Sequence, residues 1–497
     1  MQRLHYILVT SWGHFNDASF VERILILENQ AIPKKTLLAI LGASLMAFCG
    51  VLVETSMNVT FPTLMKQFGL PMNVVQWIAT GYLLLVSLTM ATSAFVQRRF
   101  KIRSIFIFAG LAFIVGSFVC ALAPSFTVLL IGRLIQAVAT GYAIPLLFAI
   151  ILQQIPVARL GSFMGLGSMV VGIAPSLGPT YGGMSTYLFT WREIFWFILP
   201  VVVIAVLLGS FTIPQKFETH RDPFDTFGFI LLAVAFFLVA ESFTDAGTYG
   251  WISIQFWGFL VAGLLVLAWF AYHSTHSKRI LLDLAIFKSP TLVLSLIPYF
   301  LLQLINIGIS YLLPNYGQLV FGANSLVAGS AILLGSLAAA VIQPLSGRML
   351  DNRGAAVPIR IGGAIIVIAM VLFASFGLHL TNTLIVLFYL VFGIGFGFSF
   401  GNAMTNGIQQ VDLKLQQDAN AMFSTSQQYA GAIGTAIMAT LLTSSQESGR
   451  HLSQAVLSAQ GSEHDFILLV VLSIVAFGLM IVNFRKQAQL KTTKSVF

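Results

Sequence analysis

Residues 53–62 read VETSMNVTFP and set one carboxylate, Glu54, and an amide one turn later, Asn58, into an otherwise apolar stretch. A second apolar stretch, 132-GRLIQAVATG-141, carries Arg133 and Gln136. A carboxylate and a guanidinium are each costly alone in such surroundings, and facing one another or a shared aqueous cavity relieves that cost. The chemistry open to them is proton exchange. Small movements between acid and cation change the proton affinity of the carboxyl group, so it is protonated in one state and ionised, open to a cationic ligand, in another. The static alternative is an ion pair or a snorkelling acid, a weak choice for packing because apolar residues often serve better. Glu241 and Asp245 are expected at an exposed outer mouth.

Polar side chains in other apolar runs are candidates to line the same path: Gln303 with Asn306, and Asn402 with Asn406 one turn apart. Each either lines a cavity or bridges two helices. Other chemistries lack support. His273 and His276 are a close pair with no third metal ligand nearby, and Cys49 and Cys120 lie singly in apolar runs, so no metal and no cofactor are expected. There is no GxxxxGK[ST] loop and no nucleophile–base constellation. The segment 393-GIGFGFSFG-401 has glycines at four-residue spacing within an apolar run, a helix-packing stripe rather than a phosphate loop.

The elements that must position these residues are membrane helices. Of 497 residues 57% are hydrophobic and only 9% charged, too little charge to cover a soluble domain of this size. Fourteen runs are long enough to span a bilayer, from 37–62 to 465–484, the shortest being 226–243. With the N-terminus inside, 22 of the 26 Lys and Arg fall in cytoplasmic segments; only Lys66, Arg192 and Arg450 fall outside, and Arg133 lies within a span. That asymmetry fixes the orientation and accounts for the net charge of +9 without a nucleic-acid partner. Glu54 and Arg133 then both sit about 10–12 Å below the outer boundary.

Two short basic tracts, 93-SAFVQRRFKIRSIF-106 and 343-QPLSGRMLDNRGAAVPIR-360, follow the second and tenth spans and suggest duplicated halves. The expected organisation is a cytoplasmic or interfacial extension over 1–36 and an N-terminal six-helix bundle over 37–213. Two inserted helices with linkers follow over 214–289, then a C-terminal six-helix bundle over 290–487 and a tail over 488–497.

These features resemble the major facilitator superfamily, and within it the 14-helix drug:proton antiporters, over roughly residues 37–487. The segment 172-GIAPSLGPTYGG-183 is similar to that group's exporter signature through Gly172, Pro175, Gly178, Pro179, Gly182 and Gly183. Gly178 and Gly182 would let a neighbouring helix approach closely, while Pro175 and Pro179 each remove a helix hydrogen bond. The loop with Gly347, Asp351, Arg353 and Gly354 is similar to the superfamily's cytoplasmic latch, in which the carboxylate caps a neighbouring helix. In the first half Gln97 stands at the acid's place, and no charge-based latch is expected there. Arg133 and Gln136 fit the family pattern of the fourth span, with Ala137 where glycine is usual; Glu54 replaces the usual aspartate.

The resemblance implies an all-α integral membrane protein of the major facilitator fold, two six-helix bundles plus two inserted helices, with both termini cytoplasmic. It also implies a proton-coupled antiporter of lipophilic, often cationic compounds in a bacterial plasma membrane. The proton gradient would be the energy source, Glu54 and Arg133 the proton-coupling pair, and the chain a monomer. A proton-linked exporter of one defined metabolite and a non-transporting polytopic protein remain as alternatives.

Overall fold

The computed structural model describes residues 32–494 apart from 71, 76, 215–222, 278, 280, 324 and 449–452. The expected extension up to residue 31 lies outside the described residues, as do Lys216, Arg221, Lys278 and Arg450. Fourteen long helices carry the fold: α1 (Lys34–Ser56), α2 (Trp77–Arg99), α3 (Ile102–Ala121), α4 (Phe126–Gln154), α5 (Leu160–Leu188), α6 (Glu193–Thr212), α7 (Thr226–Tyr249), α8 (Ile254–His276), α9 (Pro290–Phe321), α10 (Leu333–Arg353), α11 (Ala356–Phe376), α12 (Asn382–Ile408), α13 (Gln416–Ser448) and α14 (Gln454–Lys494). Thirteen are long and apolar enough to cross a membrane among the described residues. The fourteenth, α13, spans 33 residues but is markedly more polar.

Helices α1–α6 pack as one bundle and α9–α14 as another. The bundles meet along two seams, α5 against α10 and α2 against α13. Glycine builds the first seam: a Cβ on Gly347 would overlap the backbone of Gly161, and one on Gly165 would meet the backbone of Gln343. The stripe Gly393, Gly397 and Gly401 packs α12 against α10 and Ser168 of α5, as a small-residue face should.

The inserted pair covers the second seam. Helix α7 lies on α2 and α13, and α8 packs on α7 with its outer face to lipid. Leu88, Ala91 and Phe95 of α2 bury against Leu231, Leu232 and Phe236 of α7, Phe270 of α8 and Leu281. Phe236 stacks on Tyr429 of α13 at 4.6 Å between centroids. At the cytoplasmic end Asp225 caps α7 through Gly228 N, and both its oxygens lie 3.0 Å from His273 Nε2. That bond ties the two inserted helices together.

Candidate functional site

Glu54 stands two residues before the end of α1. Thr55 Oγ1 and Ser56 Oγ donate back to the carbonyls of Val51 and Leu52, and residues Met57–Thr60 tighten into a 3-10 turn. Pro62 has no N–H to continue an α-helical ladder, so the helix changes character one turn beyond the acid. Gly178 and Gly182 of α5 press on this place: a Cβ at Gly178 would overlap the Thr55 side chain, and one at Gly182 would meet Ser56 and Val59. The expected exporter signature therefore packs directly beside Glu54. Of its other members, Gly172 and Pro175 line the cavity described next, Pro179 is exposed, and Gly183 faces open space.

A central cavity lies between the bundles, and Glu54 is on its wall. Gln303 and Asn306 of α9 face it, joined by Ser310, by Gln343 of α10 and by Gln427 and Gln428 of α13. The C-terminal side is aromatic. Tyr299 stacks on Phe400 at 4.3 Å, Phe400 on Phe396 at 4.6 Å, and the Tyr299 hydroxyl donates to Gln427 Oε1 at 2.9 Å. One carboxylate faces a wall of aromatic rings and amides, a combination suited to a lipophilic cation.

Arg133 is not in that cavity. It is fully buried on α4, its guanidinium 4.0 Å from the Tyr82 ring centroid and its Nη1 donating to Gln136 Oε1 at 3.0 Å. Gln136 Nε2 donates in turn to Ser117 Oγ at 2.8 Å, and the Tyr82 hydroxyl to Thr140 Oγ1 at 2.8 Å. Among the described residues Glu54 and Arg133 form no ion pair. Glu54 Oε2 and Arg133 Nε and Nη2 have no protein partner, and the Gln428 amide lies beside the carboxyl without completing a bond to it.

The remaining sequence candidates lie elsewhere. Asn58 is exposed in the 3-10 turn. Gln136 is committed to Arg133, Asn402 to Phe398 O and Asn406 to Ser295 Oγ. All three are buried outside the cavity lining: Gln136 and Asn406 bridge to neighbouring helices, and Asn402 bonds back onto its own. Glu241 and Asp245 are half-buried on α7, away from the cavity lining.

Sequence reasoning also passed over Asp465. Asp465 is fully buried in α14, and neither carboxyl oxygen has a protein partner. The apolar run begins at this residue, but the helix begins at Gln454, which carries the acid inward by 11 residues, about 16 Å.

The cytoplasmic ends are held by two bridges. Asp351, at the end of α10, accepts from Gly161 N at 2.7 Å, Ser162 N at 2.9 Å and Ser162 Oγ at 2.7 Å. Helix α5 has no side-chain cap of its own, so this acid caps it from the other bundle. Gly347 gives the close approach, Gly354 ends α10 at φ +81°, and Arg353 is exposed. The second bridge corrects the expectation from Gln97: the next residue, Arg98, places Nη1 2.6 Å from both oxygens of Asp418, in the first turn of α13. Asp283 N donates to the same carboxylate at 2.9 Å, and Arg98 Nη2 donates to Leu281 O at 3.3 Å.

Two six-helix bundles enclosing a polar-aromatic cavity in the membrane, with their cytoplasmic ends bridged, define a transporter rather than an enzyme. The Major Facilitator Superfamily pattern matches residues 43–435, and the chain belongs to that family as a multi-pass protein of the plasma membrane. It is 31% identical to lincomycin resistance protein LmrB of Listeria innocua over 84% of this chain and 89% of that one. It is 30% identical to a multidrug resistance protein B homolog of Mycobacterium tuberculosis, over 81% of this chain and 74% of that one. The crystal structure of the human organic anion transporter MFSD10 (TETRAN) superposes with a TM-score of 0.64 at 17% identity, covering 90% of this chain and 99% of that one. That likeness concerns the fold.

Proposed function

We propose that this chain is a proton-coupled antiporter that exports lipophilic, often cationic compounds, with Glu54 as the protonation switch. The observation that carries the reading is the setting of Glu54. It is the acid on the wall of the central cavity, one of its oxygens has no protein partner, and the buried cation Arg133 is held on another helix against Tyr82. An acid so placed is free to exchange a proton for a substrate cation. Relatives named for lincomycin and multidrug resistance support the substrate class.

In the cycle, a substrate cation arriving from the cytoplasm or inner leaflet displaces the proton of Glu54, which leaves to the cytoplasm. The bundles rock, the cytoplasmic bridges form, and the substrate departs outward. An external proton then rebinds Glu54 and the bridges open again. The bridged arrangement seen here corresponds to the cytoplasm-closed half of that cycle.

The test is ethidium accumulation in inverted vesicles under an imposed proton gradient, comparing the native chain with Glu54→Gln at equal expression. Gradient-driven accumulation falls by about a hundredfold, the scale of a lost proton-transfer group, while ethidium binding persists. Undiminished accumulation in the variant would remove Glu54 from the coupling step.

A further inference from the structure

Resting on the reading of Glu54 above, we propose that protons leave Glu54 for the cytoplasm along a water-filled path between α2, α4 and α13, and that the Arg98–Asp418 bridge is its gate.

Buried polar groups are nearly always paired with protein or with ordered water, so orphaned ones mark where water is held. Among the described residues, six such atoms lie on α2 and α13 below Glu54. Helix α13 presents Gln428 Nε2, Ser424 Oγ and Asn420 Oδ1, none with a protein partner. Their four-residue spacing puts them on one face, and the eight residues from 420 to 428 span about 12 Å. Across the seam, Ser93 Oγ and both polar atoms of Gln97 on α2 are likewise buried and unpartnered.

Several contacts bring these groups to one junction. The Asn420 amide donates to Pro145 O of α4 at 2.9 Å. Ala94, between the two polar positions of α2, packs on Ala421. Pro145 has no N–H, which leaves the Gly141 carbonyl without its helical donor and adds a backbone acceptor to the same junction. The upper end is the Gln428 amide beside the Glu54 carboxyl. The lower end, Gln97 and Asn420, lies within two residues of Arg98 and Asp418, whose bridge and the strap carrying Leu281 to Asp283 lie across it.

The charged and titratable groups bordering this path are Glu54 above, Arg98, Asp418 and Asp283 below, and Tyr142, bonded to Thr92 of α2, with Arg133 and Tyr82 to the side. While the bridge stands, the path is shut at its foot and protons reach Glu54 only through the cavity. When the bridge parts, water joins the polar groups to the cytoplasm and the Glu54 proton departs by hydrogen-bonded relay. A path open at one end at a time keeps proton flow coupled to the bundle movement. It also separates the proton's exit from the aromatic wall where a lipophilic substrate binds.

The decisive variant is the double substitution Gln97→Leu with Ser424→Ala, which removes three orphaned polar atoms and breaks no protein hydrogen bond. Two rates are compared in proteoliposomes of the full chain. One is ethidium uptake driven by a proton gradient, and the other is ethidium–ethidium counterflow without one. Counterflow requires the bundles to rock with substrate bound but requires no proton exit. The expected result is gradient-driven uptake slowed about tenfold, the scale of a relay losing hydrogen-bonded links, with counterflow unchanged. Native gradient-driven uptake would overturn the proposal, and so would an equal fall in both rates, which would make the seam a sliding surface only. Glu54→Gln run alongside separates the two readings: if it leaves gradient-driven uptake intact, the protonation switch itself fails.

Discussion

The two cytoplasmic bridges join the same two bundles by opposite means. At the α5–α10 seam the acid belongs to the end of one helix and the partner is the uncapped N-terminus of the other, so attraction comes from backbone donors and the helix dipole. At the α2–α13 seam the acid is already in the first turn of the capped helix, and a guanidinium reaches it from across the seam. Glycine backbones touch at the first seam, whereas a strap from the inserted helices is threaded into the second. A dipole-capped contact needs close geometry, and when it breaks it leaves one carboxylate, on half-buried Asp351 at a helix end. An ion pair with Asp418 only 1% exposed leaves a buried charge behind unless water arrives at once. The first bridge thus suits a hinge that must close tightly. The second suits a gate whose opening admits water.

The sharpest way to break this contrast is steric. A Cβ at Gly347 would overlap the Gly161 backbone, which cannot yield as a flexible side chain would. Gly347→Val is expected to abolish the cytoplasm-closed arrangement, read as the distance between spin labels on the cytoplasmic ends of α5 and α10, and to stop transport. Gly183→Ala is the matched control, since nothing lies within 4 Å of the added methyl, and it should transport at the native rate. A closed population in Gly347→Val would mean that glycine contact is not what closes this seam.

The next effect is electrostatic. Removing one partner of a buried ion pair destabilises by about 3–5 kcal/mol, so Arg98→Ala should reduce the closed population at the α2–α13 seam by about two to four orders of magnitude. The exchanged pair, Arg98→Asp with Asp418→Arg, should recover only part of that loss, because an arginine in the first turn of α13 opposes the helix dipole and cannot accept from Asp283 N. Full recovery would reduce the bridge to a simple charge pair and leave the strap without a role. A closed population unchanged in Arg98→Ala would remove the ion pair as the gate.

How much of this was legible in the sequence follows from what each signal records. Glu54 stood out because a lone acid in an apolar run violates composition, and Asp351 because the loop around it resembles a known pattern. The second bridge was hidden because its partners are 320 residues apart and the pattern draws attention to Gln97, one position early. The aromatic wall was hidden in plain view: Phe392, Phe396 and Phe400 repeat at the same four-residue spacing as Gly393, Gly397 and Gly401, and the glycines alone explained the stripe. Asp465 escaped because hydropathy marks where apolar residues begin, not where a helix begins. Matched depth set Glu54 and Arg133 at one level, but they form no ion pair among the described residues, and depth says nothing about Tyr82 standing against the guanidinium. Periodicity gives the face and height of a residue; the neighbour across the gap comes only from packing.

The smallest expected effect separates the bridges by chemistry alone. Asparagine keeps one side-chain acceptor oxygen and the shape of aspartate. In Asp351→Asn that oxygen still receives a backbone donor of α5, and asparagine is as good a cap as aspartate. The change removes a charge from a helix N-terminus and the acceptor for one further donor, about 1 kcal/mol, or about fivefold in the closed population. In Asp418→Asn the same exchange points an amide N–H at the Arg98 guanidinium and leaves that cation half-paired, so the loss should exceed the Asp351 value several-fold. The measurement is the pair of label distances, one across each seam, in both variants. Equal shifts would show that the two bridges work by one mechanism and that the apparent division between hinge and gate is only a difference in residue order. Unequal shifts, with α2–α13 opening while α5–α10 stays shut, would show that the seams release in sequence, the ion pair first.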